Sequence, residues 1–462
     1  MREHDRLRGL RRFASLLVLC GAGFTASGTA QAQVPPGYYA TVDETNGTTL
    51  RTTLHAIIDG HTKIPYTSSG TDTWTVLELA DQDPANSTHI LDLYENESIA
   101  KQGGGNSFYN REHSWPNSYG FPNDGADNYP YTDCHHLFLC DITFNADRGN
   151  RPYRACTTGC SEDPTFVNGG MGGGTGSYPG NSNWTSASPT IGSWETWRGR
   201  RGDVARAMFY MDVRYEGGVH VITGQPEPDL RLTDNTTLIA NGATGSNESI
   251  AYMGLLSTLI VWNREDPPDA KERNRNTVIQ SFQGNRNPFI DHPEWVECIF
   301  AGACRPGQAF CFGSGIDTSH TTACPCGNAG AAGNGCANSA NAAGANLTAS
   351  GRTTLDTVLF TASGVPATSF TLFLQHATSG DAVFHDGVIC AGGTLVRLRG
   401  LAAAGGSVSY PAPSDTQTVS QRGGVTIGSG TRRFYSAWYR NSASTFCAPA
   451  TANVTNGFQV VW

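Results

Sequence analysis

The chain has 462 residues, 38% hydrophobic and 15% charged, with 55 glycines and a formal net charge of −9. Its length allows two or three domains with real cores, and its apolar share excludes a disordered chain. No internal run of about 18 apolar residues occurs, which excludes stable membrane insertion, and the acidic balance excludes nucleic-acid binding driven by overall charge.

Residues 1–32 read as a signal peptide. Arg2, Arg6, Arg8, Arg11 and Arg12 form a basic start, Phe13 to Ala22 is largely apolar, and Ala30-Gln31-Ala32 is a small-x-small cleavage site. The expected mature chain begins near Gln33, is secreted or periplasmic, and carries −12 once five arginines, Glu3 and Asp5 are gone. Cys20 leaves with the signal, so twelve of the 13 cysteines remain, an even number that favours disulfides after export.

Leu50, Leu54, Ile57 and Ile58 recur at helical spacing, and Ile90 to Tyr94 reads as a strand. Ser161 to Ser193, rich in Gly, Ser and Asn, reads as a long surface loop. Its glycines lack the Lys-Ser/Thr ending of a phosphate-cradling loop. Arg198 to Tyr215 predicts an amphipathic helix with Val204, Ala207, Met208 and Met211 on one face, and Tyr252 to Trp262 is strongly apolar. A further helix is expected from Pro267-Pro268 to Gly284.

Composition changes near residue 305. Beyond it the chain has no lysine, and short alternating runs at Thr354 to Phe360, Ser369 to Leu374, Thr394 to Leu398 and Phe434 to Tyr439 predict an all-β sandwich. Cys311, Cys324, Cys326, Cys336, Cys390 and Cys447 would staple it. The expected organisation is therefore residues 1–32 as signal, 33–305 as an α+β domain, and 306–462 as a β-rich accessory domain. That last domain serves either stability or attachment to a surface or polymer.

The chemistry concentrates between Asn110 and Tyr153. Pro116 ends a strand, His135 to Leu139 returns as a second, Asp141 suits a helix cap, and Gly149 stops a helix of about two turns. Hydrolysing a phosphodiester needs a base for water and a hard cation for the phosphate charge. A neutral His supplies the first; Glu112 and the Asn145 carbonyl are oxygen donors that suit Mg²⁺. Asn145 and Arg148, three apart, share a helix face, from which Arg148 would reach a phosphate oxygen. Adjacent strand residues point to opposite faces, so Glu112 and His113 serve one site only if the strand ends there. His135 and His136 read as core hydrogen bonders or as catalysts, and Cys134, His135, His136 and Cys140 as an alternative zinc set.

Arg111-Glu112-His113-Ser114-Trp115-Pro116, Asp133-Cys134-His135-His136-Leu137 and Asn145-Ala146-Asp147-Arg148-Gly149-Asn150 resemble the bacterial endonuclease I family, nucleases with a ββα-metal (His-Me finger) site. Further matches are Arg201 to Met211, Trp262-Asn263, Asp266-Pro267 and Gln283 to Asp291. The resemblance runs from about residue 38 to 300. It implies a ββα-metal fold, His113 as general base, Glu112 and Asn145 as ligands of Mg²⁺ (with Mn²⁺ or Ca²⁺ as alternatives), and secreted, sequence-nonspecific cleavage of DNA, with RNA as an open second substrate. Phe138-Leu139-Cys140 departs from the family pattern after His-His-Leu. Arg148, Arg201 and Arg286, with Arg198 and Arg200, are the candidate contacts to substrate phosphate. Two other classes compete: a phosphodiesterase for small esters, and an adhesive protein with a dead nuclease fold.

Overall fold

The packing of the chain follows from where its longest apolar runs fall. In a computed structural model, residues 34–44, 46–125, 128–186, 192–315, 317–443 and 445–462 are described here; the expected signal peptide lies outside them. Helix α1 (Gly47–Ile58) starts where the Asn46 side chain accepts from the Thr49 amide, and buries Leu50, Leu54 and Ile58. The strand expected at Ile90 to Tyr94 runs instead over Asn86–Leu91.

Strand β1 (Tyr109–His113) pairs antiparallel with β2 (Leu137–Asp141), with Tyr109 opposite Asp141 and His113 opposite Leu137. Helix α2 (Ile142–Arg148) follows at once, because the Asp141 carboxylate accepts from the amides of Thr143 and Phe144; Gly149 at φ +53° ends it. The strand, strand, short helix unit read from the sequence is thus present.

The run Leu137-Phe138-Leu139-Cys140 is buried throughout because this two-stranded sheet is covered on both sides. Leu137 and Leu139 join a core with Trp74, Leu77 and Ile279, while Phe138 and Cys140 join a larger core with Trp115, Tyr153 and Met208. Cys134, which lies before the strand, joins the core of Leu137 and Leu139, so Cys134 and Cys140 stay as buried free thiols in different cores. Five disulfides form rather than six: Cys156–Cys160, Cys298–Cys304, Cys311–Cys390, Cys324–Cys336 and Cys326–Cys447.

Helix α3 (Arg201–Arg214) departs from the amphipathic expectation: every residue after Arg201 is buried. Its polar residues are matched across the core instead of facing water. Arg206 meets Glu272 at 2.5 Å, and Arg214 meets Glu227 at 2.9 Å and Asp59 at 3.1 Å. The apolar run Tyr252 to Trp262 divides into a strand (Ile250–Met253) and helix α4 (Leu256–Glu265). Helix α5 (Ala270–Gln283) is capped by Asp269 and closed by Gly284 at φ +90°, as its flanking residues predict. The Gly-rich loop contains a small sheet, Ser161–Asp163, Asn183–Ser186 and Ser193–Glu195.

After the helix Trp295–Ala301 the chain is rich in strands. Strands β3 (Gln308–Phe310), β4 (Phe370–Phe384), β5 (Gly387–Ala402), β6 (Arg432–Arg440) and β7 (Gly457–Val461) form one sheet in the order β3-β7-β6-β4-β5, with Ala452–Val454 also on β6. A second sheet holds Asn346–Ser350, Leu359–Ser363 and Ser407–Tyr410. Leu347, Phe360 and Tyr410 from it meet Phe373, Tyr435 and Phe458 from the first in one core. Ala32 to Trp462 is one compact unit. Across residue 305 the two halves touch through Gln308 Nε2 donating to the Asn263 carbonyl (2.8 Å), Thr318 Oγ1 to Asp266 (2.7 Å) and Arg432 to the Asp291 carbonyl (3.1 Å). No helix among the described residues is long and apolar enough to cross a membrane.

Candidate active site

Helix α2 packs on the face of β1 that carries Asn110 and Glu112. Asn145 Nδ2 donates to Asn110 Oδ1 at 2.6 Å, and Arg148, one turn later, donates to Glu112 Oε1 at 3.1 Å. Asn145 and Glu112 are therefore neighbours across the strand–helix contact. With its NH₂ turned to Asn110, Asn145 keeps its carbonyl oxygen as a free donor atom for a ligand.

Glu112 is 2% exposed. Its Oε1 accepts from Tyr94 OH (2.8 Å) and from Arg148, and Tyr153 OH lies 2.7 Å from Tyr94 OH. Because Tyr94 spends its proton on Glu112, Tyr153 must donate to Tyr94. Oε1 is thus crowded with donors, whereas Oε2 has no hydrogen-bond partner among the described residues. Burial raises the pKa of this carboxyl, opposed by Arg148 and Tyr94. Glu112 offers a carboxylate oxygen and Asn145 an amide oxygen, both hard donors of the kind a divalent cation of the Mg²⁺ type accepts.

His113 ends β1, and its ring lies at the seam between the two cores. Tyr66 stacks near it (6.0 Å between centroids), with Phe121 at 6.5 Å, Tyr131 at 4.7 Å and His136 at 5.4 Å. The Tyr131 carbonyl takes the Nε2 proton at 2.9 Å, which fixes the tautomer and leaves the Nδ1 lone pair free. Burial and the neighbouring His136 hold His113 down to about 3, so the ring is neutral at neutral pH. Glu112 and His113 do leave the strand on opposite faces, but the strand stops at His113, so the ring sits at its end rather than behind the sheet.

Arg148 is placed differently from its expected reach toward phosphate. It is fully buried, with Nη1 on Glu112 and the His113 carbonyl (2.9 Å), Nη2 on the Ser114 carbonyl (2.7 Å), and its plane over Tyr153. The guanidinium holds the carboxylate and the strand end together. Arg286 is also buried, its fork closed on Asp291 at 2.7 and 2.8 Å, and Arg201 pairs with Glu195 (3.1 Å) and Glu265 (2.8 Å). Arg200 is on Asp269, and Arg198 donates to the carbonyls of Gly315 and Asp317. None of these four touches Glu112, His113, Asn145 or Arg148 among the described residues.

His135 and His136 hydrogen-bond the carbonyls of Asn285 (3.2 Å) and Pro130 (2.6 Å), and burial holds both at about 4. They are core residues, and among the described residues no cluster that could hold a metal includes them. One His/Cys cluster does occur elsewhere, Cys311, His320 and Cys390, but its two sulfurs are joined as a disulfide and offer no thiolate.

The sequence reading missed Tyr94 and Tyr153, which no local spacing connects to Glu112. It also missed the side chain of Arg111, whose guanidinium lies 3.3 Å over the Tyr66 ring and 4.2 Å over Trp74. Period-2 alternation from His113 would have flagged Arg111 as its neighbour on one face.

A family model described as endonuclease I matches residues 46–294, more than half of the chain. An extracellular ribonuclease of Bacillus amyloliquefaciens is 40% identical over 280 residues, covering 59% of this chain and 82% of that protein. An extracellular ribonuclease of Bacillus subtilis (strain 168) is 38% identical over 266 residues, covering 57% and 78%.

Proposed function

The chain belongs to the endonuclease I family, and from that premise we propose that it is an exported, divalent-metal-dependent nuclease that hydrolyses phosphodiester bonds of RNA and DNA without sequence specificity. Export is supported by the extracellular ribonucleases to which the chain is similar and by five disulfides. RNA joins DNA as a substrate because both relatives are named ribonucleases.

What supports the reading is an unengaged Glu112 oxygen and an unengaged Asn145 carbonyl on elements tied together by the Asn145–Asn110 and Arg148–Glu112 hydrogen bonds, next to a strand-end histidine whose Nδ1 is free. Glu112 and Asn145 would hold a divalent cation, Mg²⁺ in first place, which supplies Lewis-acid stabilisation of the phosphate charge. His113 Nδ1 accepts a proton from the attacking water while its Nε2–H stays on the Tyr131 carbonyl, so the ring neither rotates nor changes tautomer before the transfer. Arg148 opposes the burial that raises the Glu112 carboxyl and ties the carbonyls of His113 and Ser114 in place. Nothing in this arrangement reads a base edge, which agrees with nonspecific cleavage.

The test incubates purified protein with plasmid DNA, ribosomal RNA and a small chromogenic phosphodiester, with EDTA and after Mg²⁺ is restored. Cleavage of both nucleic acids, lost in EDTA and regained with Mg²⁺, is expected. Turnover of the small ester alone, or full activity in EDTA, defeats the proposal.

A further inference from the structure

One face of the β3-β7-β6-β4-β5 sheet is closed by the core of the strand-rich half, and part of the other stays open. Period-2 alternation sends Phe373, Tyr435 and Ala437 into that core. It turns Leu372 and its cross-strand partner Trp438 to the opposite face, where both are half-buried. Four rings follow one another there. Phe384 meets His385 at the tip of the β4–β5 hairpin (4.8 Å between centroids), His385 meets Trp438 of β6 (6.2 Å), and Trp438 meets Phe370 at the start of β4 (6.5 Å). His385 is exposed, and Phe370 is 48% exposed. The Phe370 ring lies against Gly400, where any Cβ would collide with it, so the glycine gives the ring its seat on the sheet. Aromatic side chains grouped in this way mark a docking surface, unlike apolar residues exposed singly.

Charge points to the partner. Arg440 stands over Trp438, 5.5 Å from the ring centroid, and Arg397 lies opposite Leu374, two residues along β4 from Leu372. Both arginines are exposed, and neither makes a hydrogen bond or ion pair with any described residue. The carboxylates are occupied. There is no glutamate after Arg305. Asp386, beside His385, is buried and accepts from Asn441 Nδ2 at 2.7 Å, and the other four aspartates are engaged as well. A neutral polysaccharide would stack on the rings but leave the cations unused. A polyanion whose repeating units carry flat faces uses both.

We propose that Phe384, His385, Trp438 and Phe370, with Arg440, form a platform for single-stranded nucleic acid, bases stacking on the rings and arginine meeting the phosphates. The strand must be single, because only unpaired bases can be laid on side-chain rings. The proposal rests on the nuclease reading for the class of polymer, yet binding can be measured without cleavage once metal is removed.

The experiment follows the fluorescence anisotropy of a labelled single-stranded oligonucleotide with full-length protein in EDTA, for wild type, Phe370→Ala, Trp438→Ala and Arg440→Gln. Each lost ring should weaken binding roughly fivefold to a hundredfold. Arg440→Gln should weaken it less and flatten its dependence on salt. Variants that bind like wild type, or a duplex of equal length that competes as well as the single strand, overturn the platform. Soluble xylan and chitin oligomers test the other polymer. If they bind and Trp438→Ala abolishes that binding while oligonucleotide binding is unchanged, the surface is a sugar platform and the proposal falls.

Photocrosslinking of wild-type protein to an iodouracil-containing oligonucleotide, followed by peptide mapping, gives a reading independent of variant folding. Adducts on Phe370, His385 or Trp438 are expected; adducts confined to other residues, or none, overturn the platform. Cleavage by wild type with Mg²⁺ restored is scored separately. Strand binding through these rings without cleavage upholds the platform and defeats the nuclease reading alone, whereas cleavage with unaffected variants defeats the platform alone.

Discussion

Replacing the His113 ring removes a neutral ring nitrogen at the end of β1 that has no hydrogen-bond partner among the described residues. His113→Ala should lower cleavage of plasmid and RNA by about a hundredfold or more, with an unchanged circular dichroism spectrum; near wild-type turnover would refute the base assignment. Asn145→Ala and Glu112→Gln should raise the Mg²⁺ concentration needed for half-maximal activity, because so few protein atoms would hold the ion. A Mg²⁺ titration that superimposes on wild type for both variants would remove them from the site. Arg148→Met strands Glu112 in the core without its partner, and should cost about 3–5 kcal/mol of stability, measured by urea unfolding. A surface phosphate contact would instead leave stability nearly intact. At this scale His113, Glu112 and Asn145 stood out as candidates because each chemistry demands a particular side chain in a short motif. The inward turn of Arg148 was not, since it depends on Tyr94 and Tyr153, 18 and 41 residues from Glu112 along the chain. The enclosure of Arg286 by Asp291 hides a charge that composition counts as free.

Among the elements, those bounded by explicit stop and start chemistry were readable: Asp141 and Gly149 around α2, Asp269 and Gly284 around α5. Helix α3 was misread as amphipathic because its charged residues suggest a solvated face, and only the carboxylates of α5 and the loop at Glu227 show how they are buried. The short strands β3 and β7 carry too few alternating residues to announce themselves. Strand β2 makes a sharp prediction about thiols. Cys134 and Cys140 are unpaired and lie in separate cores, so a thiol reagent should label none of the native protein and two groups per chain in strong denaturant. Labelling of the folded protein, or none after unfolding, would contradict the disulfide pattern.

For the molecule as a whole, the division of charge is as informative as the division of secondary structure. Beyond Arg305 the chain has seven arginines, five aspartates, no lysine and no glutamate, so the strand-rich half is slightly positive against a strongly acidic remainder. The family match ends at residue 294, and the two halves have separate main cores. A protein ending at Arg305 should therefore cleave plasmid DNA at close to the full-length rate. It should also melt at lower temperature, because the Asp266, Asn263 and Asp291 contacts lose their partners. A soluble, folded and inactive truncation would show that the strand-rich half completes the site.

The pairing of β3 with β7 also sets an order of events in time. Gln308–Phe310 is hydrogen-bonded to Gly457–Val461, so a strand near the start of the second half waits for nearly the last residues of the chain before its sheet can close. The Glu112, His113 and Asn145 cluster draws its partners from residues 66 to 153 and needs no such wait. During synthesis, these local contacts can form while the strand-rich half is still an open chain. Closure of a loop this long is slow relative to local contacts. A premature stop a few codons early would thus spare the contacts around Glu112, His113 and Asn145, yet leave β3 and β6 as unprotected edges, prone to pairing with another copy.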